Sequence, residues 1–106
     1  MRRYLGRKQT SSNADWLYAA DNIESLISAD EVEAYAADAV GNIHTAADGK
    51  HAAFAWSGGK DSIVLADLCA RAGVTEGYMA YCDLDYPAFV QWCREHKPAG
   101  VTMMHT

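Results

Sequence analysis

Apolar residues in the first half of the chain recur at the three- and four-residue intervals of amphipathic helices. A first apolar stripe lies within residues 15–27, and a second lies within residues 32–43. Between them, Ser28 and Glu31 form the Ser-x-x-Glu pattern of a capping box, which marks the start of a helix. The pattern therefore predicts a pair of helices over residues 14–47.

The second half of the chain alternates short apolar runs with further helical stripes. The runs over 51–56, 77–82 and 101–105 have the length of buried strands. The segments between them, 64–72 and 87–96, have helical spacing instead. Strands that alternate with helices in this way predict an α/β core with a parallel sheet and right-handed crossovers.

This predicted core, residues 48–106, reaches only its third strand at Thr106. Parallel sheets are seldom left with open edges and uncovered faces. We therefore expect the sheet to be completed either by a later part of the protein or by a partner chain, such as a second copy.

The overall composition narrows the class of protein. Half of the 106 residues are apolar and the net charge is -5, so we expect a globular protein that does not itself bind nucleic acid. No apolar run approaches the length of a membrane span, and no apolar segment of a secretory signal follows the basic residues at the start of the chain. The cysteines, considered below, favour reduced thiols in a cytoplasm. The first thirteen residues, 1–13, are polar and basic and are expected to form a disordered tail.

The three cysteines do not form a recognisable disulfide or zinc pattern. Their number is odd and no Cys-x-x-Cys pair occurs among Cys69, Cys82 and Cys93. Each is expected to be a reduced thiol that packs as a small apolar residue.

The turn between the first predicted strand and the next helix has an unusual composition, Ser57-Gly58-Gly59-Lys60-Asp61-Ser62. A parallel strand that turns directly into a helix points free N–H groups at the carboxyl end of the sheet, where they bind anions. The adjacent glycines let a phosphate approach the backbone, and Lys60 adds a positive charge. A carboxylate such as Asp61 repels phosphate unless it caps the helix, binds loop N–H groups or holds Mg²⁺.

This turn differs from the Walker A loop, because Phe54 occupies the position of its first glycine and Asp61 follows the lysine. The pattern Ser-Gly-Gly-x-Asp-Ser, followed by Ile-Val-Leu at 63–65, resembles the pyrophosphate-binding loop of the PP-loop superfamily of adenine-nucleotide α-hydrolase-like proteins. It is most similar to the branch of phosphoadenylyl-sulfate (PAPS) reductases and their relatives. The resemblance covers residues 51–106 and implies a three-layer, Rossmann-like parallel sheet of the HUP type, here with its first three strands.

The resemblance also implies a function in sulfur or nucleotide metabolism. The loop would grip the phosphates of ATP or PAPS with Mg²⁺ present, and Lys60 and Asp61 would have catalytic roles. The implied reaction is cleavage of ATP between its α and β phosphates, as in ATP pyrophosphatases and sulfurtransferases, or reduction of nucleotide-bound sulfate. The adenine is expected at the ends of the first two strands, where Trp56 and Tyr81 are candidate contacts. An aromatic residue at a strand end such as Trp56 more often packs in the core.

The sequence departs from the family pattern after the second strand. Tyr81-Cys82-Asp83 stands where the reductase branch usually has Asp-Thr-Gly, and the carboxy-terminal cysteine motif of the thiol-dependent reductases is missing. Asp83 and Asp85 are candidates to hold Mg²⁺ or a ribose hydroxyl, and equally to cap the helix that begins near Pro87. A non-catalytic nucleotide-binding or oligomerisation module is therefore the alternative to an enzyme.

Overall fold

A computed structural model describes residues 13–106 of the chain. The predicted basic tail lies outside the described residues except for Asn13, with which the first helix begins. The chain forms two compact units, and the boundary between them lies between Tyr35 and Ala36.

The secondary structure consists of helices and three parallel strands. The helices are α1 (Asn13–Asp21), α2 (Ile23–Leu26), α3 (Ala29–Ala47), α4 (Lys60–Arg71) and α5 (Pro87–His96), and the strands are β1 (Phe54–Ala55), β2 (Gly77–Tyr81) and β3 (Val101–His105). The strands form one sheet in the order β1-β2-β3, and both pairs are parallel. The predicted α/β class with a three-stranded parallel sheet is thereby confirmed.

The first unit holds three helical segments where the apolar pattern predicted two helices. The side-chain amide of Asn22, between α1 and α2, donates a hydrogen bond to the Tyr18 carbonyl at 2.9 Å. Asparagine side chains compete with backbone N–H groups for such carbonyls, which explains why the helix is interrupted between α1 and α2. The next helix begins as predicted, because the Glu31 amide donates to the Ser28 hydroxyl at 3.1 Å.

No side chain of the described part of this first unit is buried. Seven of its large apolar residues are exposed: Trp16, Leu17, Tyr18, Ile23, Leu26, Val32 and Tyr35. The longest helix of the described chain, α3, has 19 residues. Neither α3 nor any other helix within residues 13–106 combines the length and apolar character that crossing a membrane requires.

The core of the second unit lies on one face of the sheet. The strand register aligns Phe54 with Gly77 and Gly77 with Val101, so these residues point to the same side. Each strand lies next to the preceding one, in the order β1-β2-β3. Because both crossovers run in the same direction across the sheet and are right-handed, α4 and α5 lie on the same side of it, over the core. The buried core consists of Phe54, Trp56, Ala66, Cys69, Val74, Met79, Cys93 and Val101.

The opposite face of the sheet is exposed. It carries the alternate strand residues, namely Ala55, Tyr78, Ala80, Thr102 and Met104. Parallel sheets usually have helices on both faces. In the second unit this face carries no helix, so residues 36–106 do not form the third layer of the expected three-layer architecture.

The face of α4 that packs on the sheet is not the face that carries its large apolar residues. Val64 and Leu65 are exposed, whereas Ala66 and Cys69 are buried. Small side chains at the contact let the helix approach the sheet closely, because a bulkier residue would hold the two apart.

Candidate functional site

The loop from Ser57 to Ser62 joins β1 to α4 at the carboxyl end of the sheet. Gly58 has a φ angle of 78°, in the left-handed region that favours glycine. A Cβ atom added to Gly58 would lie 2.9 Å from Sγ of Cys93 on α5. Gly58 is therefore required both by its own backbone conformation and by the close approach of α5.

Two serine hydroxyls close this loop. The Oγ atoms of Ser57 and Ser62 are 2.7 Å apart, and the Ser57 amide donates to Oγ of Ser62 at 3.1 Å. The Gly59 amide donates to Oγ of Ser57 at a longer 3.4 Å. The hydroxyls therefore tie the end of β1 to the first turn of α4, and they hold the loop in a fixed shape.

The remaining loop amides have no acceptor. The first intrahelical bond of α4 runs from the Ile63 amide to the Gly59 carbonyl at 3.0 Å. Within the described residues, no acceptor is bonded to the backbone N–H groups of Gly58, Lys60, Asp61 and Ser62. These donors lie at the positive end of the α4 dipole, where free N–H groups attract anions.

The charged residues of the loop pair with each other. Nζ of Lys60 lies 2.8 Å from Oδ1 of Asp61, and the two side chains are 91% and 93% exposed. The hydrogen bond to Asp61, and next its charge, raises the pKa of Lys60 above its ordinary value of 10.5. The ammonium group is therefore charged at neutral pH. Exposed ion pairs of this kind contribute little stability, so a more highly charged anion can compete with Asp61 for Lys60.

The two aromatic residues expected near an adenine ring have other contacts. Trp56 is only 4% exposed and belongs to the core, which leaves little of its ring open for stacking. The Arg94 guanidinium lies 5.0 Å from the centroid of the Tyr81 ring, and the centroid of the His105 ring lies 5.2 Å away in a T-shaped arrangement. The Tyr81 hydroxyl also accepts a hydrogen bond from Arg94 at 2.8 Å. Packing in the core is thus the role that the structure gives Trp56.

The carboxylates proposed as Mg²⁺ ligands have separate partners. Asp61 pairs with Lys60, while Asp83 accepts a hydrogen bond from Nε2 of His105 at 2.6 Å. Asp85 accepts one from the Cys82 amide at 2.8 Å. Within residues 13–106, no three His, Cys, Asp or Glu residues form a group that could hold a metal ion by themselves.

The alternative role of Asp83 and Asp85 as caps of α5 is wrong. The N-cap residue of α5 is Tyr86, which makes no side-chain capping bond. Pro87 does occupy the first turn of the helix, as its fixed φ angle favours. The two carboxylates instead order the segment between β2 and α5 through Cys82 and His105.

Sequence reasoning missed a row of aromatic rings along α5. The rings of Phe89 and Trp92 stack with centroids 6.4 Å apart, and those of Trp92 and His96 with centroids 4.6 Å apart. The Cβ position of Gly58 lies 3.2 Å from Cζ of Phe89, so the row begins at the loop. The spacing of these residues, i, i+3 and i+7, is visible in the sequence and could have indicated the row.

A second polar cluster lies at the amino ends of the strands, away from the loop. Both His51 and the Tyr78 hydroxyl form hydrogen bonds with the Glu76 carboxylate. The bond from Tyr78, followed by that from His51, lowers the pKa of Glu76 below its ordinary value of 4.5. The same bond raises the pKa of Tyr78 above 10.0.

Two of the three cysteines pack in the core as the sequence predicted. All three are free, and Cys69 and Cys93 are buried. Burial raises the pKa of both thiols above 9.0, which keeps them protonated and unreactive. Cys82 is half-buried at the end of β2.

Neither a protein-family model, nor a curated protein, nor a solved structure matches this chain. The fold alone shows that the chain is an α/β protein with a three-stranded parallel sheet.

Proposed function

We propose that residues 57–62 bind the diphosphate group of an adenine nucleotide, either ATP or PAPS. In this proposal the chain is the nucleotide-binding part of a PP-loop protein related to PAPS reductases. The observation that carries it is the set of loop amides without acceptors, in a turn with the sequence Ser-Gly-Gly-x-Asp-Ser. The order of the parallel strands, with both crossover helices on one face, supports a Rossmann-like sheet, whose first three strands are arranged in this way.

The loop offers three kinds of interaction to a diphosphate. The amides of Lys60, Asp61 and Ser62 donate to one phosphate at the helix terminus, while the Gly58 amide donates to the next. The hydroxyls of Ser57 and Ser62 rotate from each other to phosphate oxygens. Lys60 exchanges its exposed partner Asp61 for a phosphate, which carries more charge.

Asp61 would then be available to hold a Mg²⁺ ion, which would offset the negative charge of the phosphates. Magnesium is commonly bound through one or two carboxylates, with phosphates and water as its other ligands. A site with a single protein carboxylate is therefore consistent with the lack of a three-residue metal group in the described chain. Asp83 is the second candidate ligand.

The proposed chemistry is cleavage between the α and β phosphates of ATP, or reduction of the sulfate of PAPS. In the first case the leaving pyrophosphate gains negative charge at the loop, and the free amides and Lys60 stabilise that charge. In the second, a thiol other than Cys69 and Cys93, which burial keeps protonated, would take the sulfo group from PAPS with the nucleotide bisphosphate as the leaving group. A second thiol would then release sulfite as a disulfide forms.

The exposed face of the sheet favours a second candidate function, an oligomerisation or nucleotide-binding module without turnover. Apolar side chains of Tyr78 and Met104 lie on this face and are 37% and 45% exposed. Parallel sheets rarely leave such a face open to water. In this alternative a second chain covers the face, and the loop binds a nucleotide without cleaving it.

Thermal-shift and calorimetric titrations with inorganic pyrophosphate and with ATP, each with and without Mg²⁺, test the proposal. We expect both ligands to raise the melting temperature. Ser62→Ala removes one hydroxyl donor to a charged phosphate and should weaken pyrophosphate binding roughly ten-fold. Ser25→Ala is the matched control, since the hydroxyl of Ser25 in α2 donates to the carbonyl of the preceding Asn22, away from the loop.

If no ligand raises the melting temperature, or if both serine variants weaken binding equally, the loop assignment is wrong. Asp61→Ala should reduce the gain in affinity that Mg²⁺ gives, and leave binding of metal-free pyrophosphate intact or stronger. Release of pyrophosphate from bound ATP in the presence of an added thiol or nucleobase acceptor separates the enzyme from the non-catalytic module.

A further inference from the structure

The described part of the first unit exposes many large apolar side chains within a short range. Seven such residues lie in residues 13–35, and no side chain of that range is buried. Trp16 is 49% exposed, Leu26 55% and Tyr35 71%. A single apolar residue on a surface is ordinary, but a concentration of them with polar residues at its rim marks an interaction surface.

The charge of the same range is entirely acidic. Residues 13–35 contain no Lys, Arg or His, and they contain six carboxylates: Asp15, Asp21, Glu24, Asp30, Glu31 and Glu33. Within residues 13–106, Asp21, Glu24 and Asp30 form no ion pair. These three carboxylates are therefore available to a cationic partner.

Carboxylates and apolar side chains are close neighbours along the helices. Glu24 follows the exposed Ile23 in α2. In α3, the exposed Val32 lies between Glu31 and Glu33. A partner that covers the apolar side chains therefore also meets negative charge, and its own charges must match it.

Charge decides which class of partner such a surface fits. Nucleic acids and anionic membranes are themselves negative and would be repelled. A second copy of the same surface would bring two sets of carboxylates together, which costs affinity. A protein helix with apolar side chains on one face and Lys or Arg beside them matches both features of the surface.

We propose that residues 13–35 bind a basic amphipathic helix of a partner protein. The apolar face of that helix covers exposed side chains such as Trp16 and Leu26, and its Lys and Arg side chains pair with the surrounding carboxylates. The proposal is independent of the diphosphate site, because it uses none of residues 57–62. The basic residues at positions 2–8 of the same chain are the competing occupant, since their charge also matches.

Titration of the full chain with synthetic peptides tests the proposal. The probe is a peptide of leucine and lysine, about four helical turns long, with its leucines on one face. One control peptide has glutamate in place of lysine, and another has the leucines and lysines in an order that forms no apolar face. We expect calorimetry at low salt to show the probe binding at least about ten-fold more tightly than either control.

Two tryptophan variants locate the binding surface. Trp16→Ala should weaken binding of the probe about ten-fold, because tryptophans dominate the affinity of apolar interfaces. Trp92→Ala is the matched control, since Trp92 is 39% exposed but lies on α5 of the second unit. It should leave the affinity within about two-fold of wild type. Circular dichroism establishes that each variant is folded before it is titrated.

A charge variant tests the second feature of the surface. Asp21→Asn combined with Glu24→Gln should weaken binding of the probe several-fold at low salt and have little effect at high salt, because salt screens exposed charge pairs. The proposal is wrong if the probe binds no more tightly than either control peptide. It is equally wrong if Trp92→Ala reduces binding as much as Trp16→Ala.

Two further measurements exclude other occupants. In ¹⁵N–¹H correlation spectra, the probe should shift amides within residues 13–35. A variant with Arg2→Gln, Arg3→Gln, Arg7→Gln and Lys8→Gln should leave those amides unshifted when no peptide is added. If these four substitutions shift them, the chain's own basic residues occupy the surface and the proposal of a partner protein is overturned. Binding to uncharged phosphatidylcholine vesicles without binding to the probe would make it a membrane surface instead.

Discussion

The two compact units of the chain start from similar sequence patterns and reach different degrees of packing. The described residues of the first unit, 13–35, include no buried side chain, although their apolar residues are spaced as on an amphipathic helix. The second unit, 36–106, buries a core between a sheet and two helices. Helical periodicity thus identifies an apolar face, but burial also requires an opposing surface, which a sheet supplies.

The apolar stripe of α3 has an exposed part and a half-buried part. Val32 and Tyr35, in the first unit, are exposed. Ala36, Ala39 and Ile43, further along the same face, are half-buried, and Ile43 packs against the core. Because the residues of both parts are apolar, the difference in burial must come from the surface that each part faces.

The largest expected effect tests how tightly the second unit is packed. A Cβ atom added to Gly100, just before β3, would lie 1.9 Å from the Thr75 carbonyl oxygen. Gly100→Ala should therefore lower the free energy of unfolding by about 3 kcal/mol, as overpacking against the backbone does. Urea denaturation measures this change.

Gly41→Ala is the control for the same substitution in a helix without steric contact. No atom lies within 4 Å of a Cβ at Gly41 in α3. The exchange should raise stability by roughly 0.5–1 kcal/mol, since glycine weakens helices. A Gly100→Ala variant as stable as Gly41→Ala would falsify the close packing described for this unit.

An intermediate effect is expected from matched valines in the two units. Val101 is 2% exposed in the core and Val32 is 51% exposed in the first unit. Val101→Ala should cost about 2 kcal/mol because it removes buried methyl groups, whereas Val32→Ala should change stability by less than about 0.5 kcal/mol. Denaturant unfolding of both variants measures the contrast, and similar losses would show that the first unit is packed as tightly as the second.

The smallest expected effect concerns the exposed polar cluster around Glu76. A carboxyl whose pKa is lowered by folding stabilises the protein above its unfolded pKa, and this stabilisation is lost as the pH falls through the folded value. Glu76→Gln should therefore be slightly less stable than wild type at pH 7, and the difference should disappear well below pH 4.5. Thermal melts of both proteins across this range measure it. A difference that grows on acidification contradicts the bonds from Tyr78 and His51.

The sequence was informative about local structure and less so about contacts between distant residues. Strands β2 and β3, helix α5 and the glycine turn could be predicted because each depends on neighbouring residues. The buried face of α4 could be predicted only in part, because Cys69 in the apolar stripe is buried but Val64 and Leu65 are exposed.

The contacts of the candidate site also include some between neighbouring residues and some between distant ones. Ser57 and Ser62 lie within one six-residue motif and could be identified from the sequence, although their bond to each other was not predicted. The contacts of Tyr81 with Arg94, and of Asp83 with His105, join residues 13 and 22 positions apart. No local spacing indicates pairs of that kind, so the occupied ring of Tyr81 was visible only in the fold.

Titration with inorganic pyrophosphate, followed by ¹⁵N–¹H correlation spectroscopy, tests the central claim most directly, because it observes each backbone amide separately. The account predicts the largest changes at the amides of Gly58, Lys60, Asp61 and Ser62, with saturation at a single affinity. If these amides stay unmoved while the ligand is in excess, or if the changes fall only on other parts of the chain, the loop does not bind a diphosphate.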